Sequence, residues 1–227
     1  MRVAVPHRLG RAAGARPLWY DTTGVDRSDR QEAPVPGLGV VLYHGIDSGH
    51  ELRDYALMAE EHGFESLWVT ERYFHEETFS MLGYLAAVTT TIRLGVGVVN
   101  AYTRNPALLA MGAATIDRVS DGRFMLGMGR SDKGVIQRRM GVPYRAPLAR
   151  LEMAVRSVRR LLSGETVSDE EAALHDVRLA LEPVQARLPI YLAAIGPRAL
   201  RLAGRVADGV LLNAYTPAGY VRWAVRQ

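Results

Sequence analysis

The 227-residue sequence contains no cysteine, which excludes disulfides and thiolate metal sites and makes a cytosolic address the default expectation. It has one lysine, Lys133, in an otherwise all-arginine set of cations. No run approaches the roughly 20 apolar residues of a membrane-spanning helix. The arginine-dotted N-terminus also lacks the continuous apolar stretch of a signal peptide. Aromatic residues are only 7% of the chain and do not interleave with a basic stripe, as they do in single-strand nucleic-acid binders. The six histidines, His7, His44, His50, His62, His75 and His175, show no close ligand spacing, so no metal site is expected.

The formal net charge is +4 and the pI about 9.6. The cations read as dispersed over solvent faces, Arg156, Arg159 and Arg160 among them, which argues against nucleic acid. An apolar content of 48% in 227 residues suits one large α/β domain.

Residues 1–36 are rich in Arg, Gly, Pro and Asp without a sustained period and read as a flexible leader. Residues 37–227 carry the ordered pattern. Strands are expected at 39–43, 66–70, about 94–99, 123–129, 188–194 and 209–213, and helices at 50–62, 79–90, 106–119, 147–163, 198–206 and 217–227. A weaker segment, 168–181, reads as a hairpin outside the repeat. The cycle organises itself around Arg93 to Asp132, RLGVGVVNAYTRNPALLAMGAATIDRVSDGRFMLGMGRSD. There Asn105-Pro106 starts a helix and Asp121-Gly122 ends it before the next strand. Short strands, apolar on both faces and alternating with helices, indicate a parallel sheet. Periodicity alone does not separate a doubly wound sheet from a barrel. In either, polar groups at the strand ends form the ligand edge.

That stretch, with IYLAAIGPRALRLAGRVADGVLLN further on, resembles the luciferase-like oxidoreductase superfamily, and within it the branch containing the coenzyme F420-dependent methylenetetrahydromethanopterin reductases. The resemblance implies a (β/α)8 TIM-type barrel, here of about six β/α units and incomplete at the C-terminus. It also implies coenzyme F420, or alternatively FMN, as cofactor, and a homodimer. A bulge at the end of the third strand, commonly with a non-prolyl cis peptide, would support the ring at Gly97 and Val98, with Asn100 in contact. Arg130 between Gly129 and Ser131 would hold phosphate, helped by Ile195, Gly196 and Pro197 at a helix N-terminus. Asn213 would meet the ring edge or tail. Glu71 and His75 are the catalytic candidates, and Tyr43 and His44 would face substrate.

Where many members have an acidic residue followed by histidine, this sequence has Glu71-Arg72, and a permanently charged arginine is a poor proton shuttle. Arg130 stands where some sugar-phosphate-oxidising members carry glutamate, which argues against that substrate class. The expected activity is hydride transfer between the coenzyme and a small organic substrate. The alternatives are an FMN monooxygenase fed by a separate flavin reductase, and an inactive barrel that binds flavin or a partner.

Overall fold

The computed structural model describes residues 37–227. The expected leader, 1–36, lies outside the described residues. Six strands, β1 (Gly39–Leu42), β2 (Ser66–Val69), β3 (Arg93–Asn100), β4 (Phe124–Gly129), β7 (Ile190–Ala193) and β8 (Gly209–Leu211), form one parallel sheet in the order β1-β2-β3-β4-β7-β8. Each strand lies beside its predecessor in the sheet. A doubly wound sheet reverses direction at a switch point, whereas a barrel winds one way only. Strand order thus settles what periodicity left open: these are consecutive units of a (β/α) barrel. The remaining strands, β5 (Val167–Asp169) and β6 (Leu174–Val177), form the antiparallel hairpin expected at 168–181.

Helices α1 (Gly49–Glu61), α2 (Thr78–Val88), α3 (Pro106–Val119), α4 (Pro147–Leu162), α5 (Pro197–Val206) and α6 (Ala218–Val225) complete the units. Their bounds follow local chemistry. Ser48 Oγ accepts from Glu51 N at 3.2 Å to cap α1, and Gly63 follows that helix with φ 72°, a left-handed conformation that glycine adopts without steric cost. Asn105 Oδ1 accepts from Ala107 N at 2.8 Å, Pro106 takes the first turn of α3, and Gly122 follows at φ 78°. None of the described helices is long and apolar enough to cross a membrane.

One sheet face packs on the helices through Leu67, Leu94, Val96, Phe124, Leu126 and Ile190, all fully buried. The other face alternates aromatics with glycines. Trp68 pairs in register with Gly95, and Tyr191 with Gly127 and Gly209. A Cβ on Gly95 would stand 2.4 Å from the Trp68 ring, and one on Gly209 2.6 Å from Tyr191. The two rings meet edge-to-face at 5.7 Å, a favoured aromatic geometry.

Polar staples gather where strands begin. Arg123 donates to the carbonyls of Ser120, Ile92, Ala86 and Thr89 and to Thr89 Oγ1, at 2.7 to 3.1 Å. Glu60 accepts from the backbone of Thr90, Thr91 and Ile92. Buried Asp117 on α3 accepts from Val184 N and from both nitrogens of Gln185.

Three expectations are corrected. Strands β1, β2, β7 and β8 end one or two residues early, so Tyr43, Thr70 and Asn213 fall in the rim. The loop after β4 contains a π-helical turn, Gly134–Arg139, folded over the fully buried Ile136. Arg159 is not a free solvent-face residue: it donates to Asp208 at 2.7 Å, with its side chain 24% exposed.

Candidate functional site

Because all six sheet strands run parallel, their C-terminal ends share one edge. There β3 breaks its register with β4 between Val96 and Val99, and the intervening Gly97-Val98 peptide is cis. Gly97 and Val98 are half-buried. Beside them β4 presents two glycines: a Cβ on Gly129 would lie 2.6 Å from Val98 Cγ2, and one on Gly127 2.0 Å from the Val96 carbonyl oxygen. The bulge and the two glycines are therefore one packed unit.

Asn100 closes this unit from above. It is buried; its Nδ2 donates to Tyr73 Oη at 2.7 Å and Thr103 Oγ1 at 2.9 Å, and its Oδ1 accepts from the backbone N–H of Tyr102 and Thr103. Both amide hydrogens and both acceptor positions are in use. Asn100 thus shapes the rim and has no free group for direct ring contact. Tyr73 Oη also bonds Ser131 Oγ, which ties the ends of β2, β3 and β4 together. Burial, together with the nearby Glu71 carboxylate, pushes the Tyr73 phenol above its ordinary value, against the bond from Ser131.

A cleft of about 300 Å³ opens between the β2 and β3 loops, lined by Glu71, Arg72, Tyr73, His75, Thr103 and Arg104 among others. The Glu71 carboxylate is not open to it as a free base: Thr78 Oγ1 donates to it at 2.6 Å, and Arg104 pairs with both Glu71 and Glu77. Glu76 and Glu77 are structural. Glu76 accepts from Gly45 N at 3.2 Å and Ile46 N at 3.1 Å, and Glu77 caps α2.

His75 is exposed, and its ring lies 4.4 Å from that of His44, which joins the β1 and β2 ends. His44 is held below its ordinary value by burial first, then by the Arg72 guanidinium and the His75 ring. Among the described residues, two buried side-chain polar atoms lack a hydrogen-bond partner, His44 Nδ1 and Thr70 Oγ1. Both stand at this strand-end edge. Tyr43 beside them is 56% exposed.

The remaining expected residues occupy the same edge outside the cleft. Arg130 is exposed and donates to Tyr144 Oη at 3.3 Å. Gly196 begins α5 with no side-chain cap, and a Cβ there would meet nothing within 4 Å. Pro197 takes the first turn of that helix, and the exposed Ile195 offers its carbonyl to Tyr220. Asn213 is exposed and bonds its own loop at Ala214 N. Sequence reasoning missed Tyr73 and Arg104, whose partners lie up to 58 residues away. It also read the cations as dispersed, whereas Arg130, Lys133, Arg138, Arg139 and Arg145 share one exposed segment.

Residues 24–227 match the family described as luciferase-like monooxygenase. A 5,10-methylenetetrahydromethanopterin reductase from Archaeoglobus fulgidus is 40% identical over 173 residues, which are 75% of this chain and 51% of the relative. Among solved structures, the coenzyme F420-dependent tetrahydromethanopterin reductase from Methanopyrus kandleri superposes with a TM-score of 0.69 at 30% identity, covering 83% of this chain and 58% of that one. The monooxygenase RslO1 from Streptomyces bottropensis gives 0.72 at 27% identity, covering 83% and 63%. The chain spans about half the length of the curated relatives it matches.

Proposed function

Because the chain belongs to the luciferase-like monooxygenase family, we propose that it is an oxidoreductase that holds coenzyme F420 at its strand-end edge and exchanges hydride with a small organic substrate. The observation that carries the reading is the pair of buried, unpartnered atoms His44 Nδ1 and Thr70 Oγ1. Buried polar groups are nearly always satisfied, and two orphans on one edge mark where a polar ligand completes the structure. The names of two relatives, the coenzyme F420-dependent reductase structure at 30% identity and an F420-dependent dehydrogenase at 34%, support the cofactor class.

The residues fit such a group. Gly97 and Val98, half-buried at the bulge, give a planar ring an apolar seat, and the bare Gly129 strand leaves that seat level. Arg130 is exposed and free of carboxylates, and the uncapped start of α5 at Gly196 offers backbone N–H groups. Both suit phosphate oxygens. When bound, the deazaflavin supplies the carbon that accepts or donates hydride. His44 presents its unpartnered Nδ1 to substrate, and His75 is the group that takes or returns a proton. Glu71, tied to Arg104 and Thr78, holds the cleft wall. The reading also carries a homodimer and a cytosolic address.

A second reading, an FMN-dependent monooxygenase served by a separate reductase, draws support from the likeness to RslO1. Titrating the chain with coenzyme F420 and, separately, with FMN, following cofactor fluorescence, separates the two. The account predicts tighter binding of F420, weakened about tenfold or more by Arg130→Ala, the loss of a charge-assisted contact. Preference for FMN favours the monooxygenase. If a folded chain binds neither, both readings fail.

A further inference from the structure

Three carboxylates, Glu71, Glu76 and Glu77, and two guanidinium groups, Arg72 and Arg104, line the cleft at the strand-end edge. The carboxylates are all committed. Glu71 takes Arg104 on one oxygen and the Thr78 hydroxyl, at 2.6 Å, on the other. Glu77 likewise takes Arg104 on one oxygen and Ser80 N, at 2.7 Å, on the other. Glu76 accepts from Gly45 N and Ile46 N at 3.2 and 3.1 Å. Arg104 in turn spends both terminal nitrogens on Glu71 and Glu77.

Arg72 differs from all of these. It is exposed, and among the described residues its guanidinium makes neither a salt bridge nor a hydrogen bond. Close by, the exposed His75 ring lies 4.4 Å from the ring of His44, whose buried Nδ1 has no partner. The charges around His44 show which sign prevails there. After burial, the Arg72 guanidinium does most to hold His44 below its ordinary value, His75 comes next, and the opposing Glu76 counts least. The field at this corner is therefore positive, although carboxylates stand in the walls.

We propose that this corner of the cleft binds the carboxylate of a small monoanionic substrate, with Arg72 as its anchor. A guanidinium presents a planar fork of donors that matches the two oxygens of a carboxylate, and none of the Arg72 donors is engaged elsewhere. The unpartnered Nδ1 of His44 is left for the uncharged polar part of the same molecule. A second negative charge on the ligand would be repelled by the three wall carboxylates, so a dianion such as a phosphate monoester fits less well. The inference rests on the proposed function only in calling this ligand the substrate.

The test follows the ring protons of His75 by NMR, assigned with His75→Gln, while the full chain is titrated with propionate, with its neutral isostere propionamide and with methylphosphonate. Propionate is expected to bind saturably, about tenfold or more tighter than propionamide, and Arg72→Gln to weaken propionate by a similar factor while leaving propionamide unchanged. Arg72→Lys keeps the charge without the fork and should recover part of the affinity. A purely structural role for Arg72 would weaken both ligands alike, and circular dichroism of the two variants should match the parent. Four results overturn the inference: no saturable shift with propionate, propionamide binding as tightly, indifference of propionate to Arg72→Gln, or tighter binding of methylphosphonate. Titrating the same proteins with coenzyme F420 keeps the two claims apart. F420 bound without a propionate site removes this inference alone, whereas propionate held through Arg72 by a folded chain that ignores F420 removes the proposed function and leaves the anion site standing.

Discussion

At the scale of single residues, the multiply bonded polar staples gather where strands begin, and the unpartnered polar atoms where they end. Arg123 makes five hydrogen bonds, three of them to carbonyls near the end of α2 and the start of β3 and one to the Ser120 carbonyl at the end of α3. Arg123→Met strands those acceptors, so denaturant unfolding should show a loss of about 2–4 kcal/mol, with cofactor affinity unchanged. Glu60 behaves differently. Burial raises its carboxyl, but the backbone N–H groups of Thr91, Ile92 and Thr90 outweigh it and hold the value down to about 2. A carboxylate depressed in the folded state stabilises above its unfolded value of about 4.5, and that contribution disappears as pH falls towards 2. Unfolding free energies measured between pH 5 and about 2 should therefore fall less steeply in Glu60→Gln than in the parent. None of this was legible beforehand, because Glu60 and Thr91 are 31 residues apart and Asp117 and Gln185 are 68 apart. A charge in a sequence gives no sign of its distant partner.

At the scale of elements, legibility followed punctuation. Helix α3 was expected at 106–119 and is found there, because Asn105-Pro106 and Asp121-Gly122 act on the nearest turn of backbone. The π-helical turn after β4 was read as loop, since six residues with one buried side chain, Ile136, carry no period. The glycines on the bare sheet face were visible as letters, but their reason, aromatics lying across from the neighbouring strand, was not. Two substitutions separate packing from ligand contact. Gly127→Ala drives a Cβ to 2.0 Å from the Val96 carbonyl and should destabilise by about 3 kcal/mol or more, seen as a lowered melting temperature. Gly196→Ala meets nothing within 4 Å. It should leave the melting temperature within a degree or two of the parent, about 0.5 kcal/mol at most, yet weaken cofactor binding by crowding the start of α5.

At the scale of the whole molecule, one-way winding puts every strand-end loop on a single edge, and this makes a site from residues as distant as His44 and Asn213. The alternation of strands and helices announced the parallel sheet, and the resemblance of two motifs announced the barrel. Strand order then made the barrel independent of resemblance. The strand-end edge was legible as a set of positions, but the hydrogen-bond partners made there were not. Glu71 and Asn100 are where a ligand group would be sought, yet Arg104, Thr78, Tyr73 and Thr103 already occupy their polar atoms. The orphaned atom of His44 shows only in three dimensions.

The central claim, a cofactor seated on the strand-end edge, is tested most directly by amide hydrogen exchange of the full chain with and without coenzyme F420. The account predicts added protection in 97–104, 128–131 and 196–200 and none in 89–92 or 120–123, at the opposite edge. Protection confined to that opposite edge, or no change in a folded chain at saturating coenzyme, would contradict it.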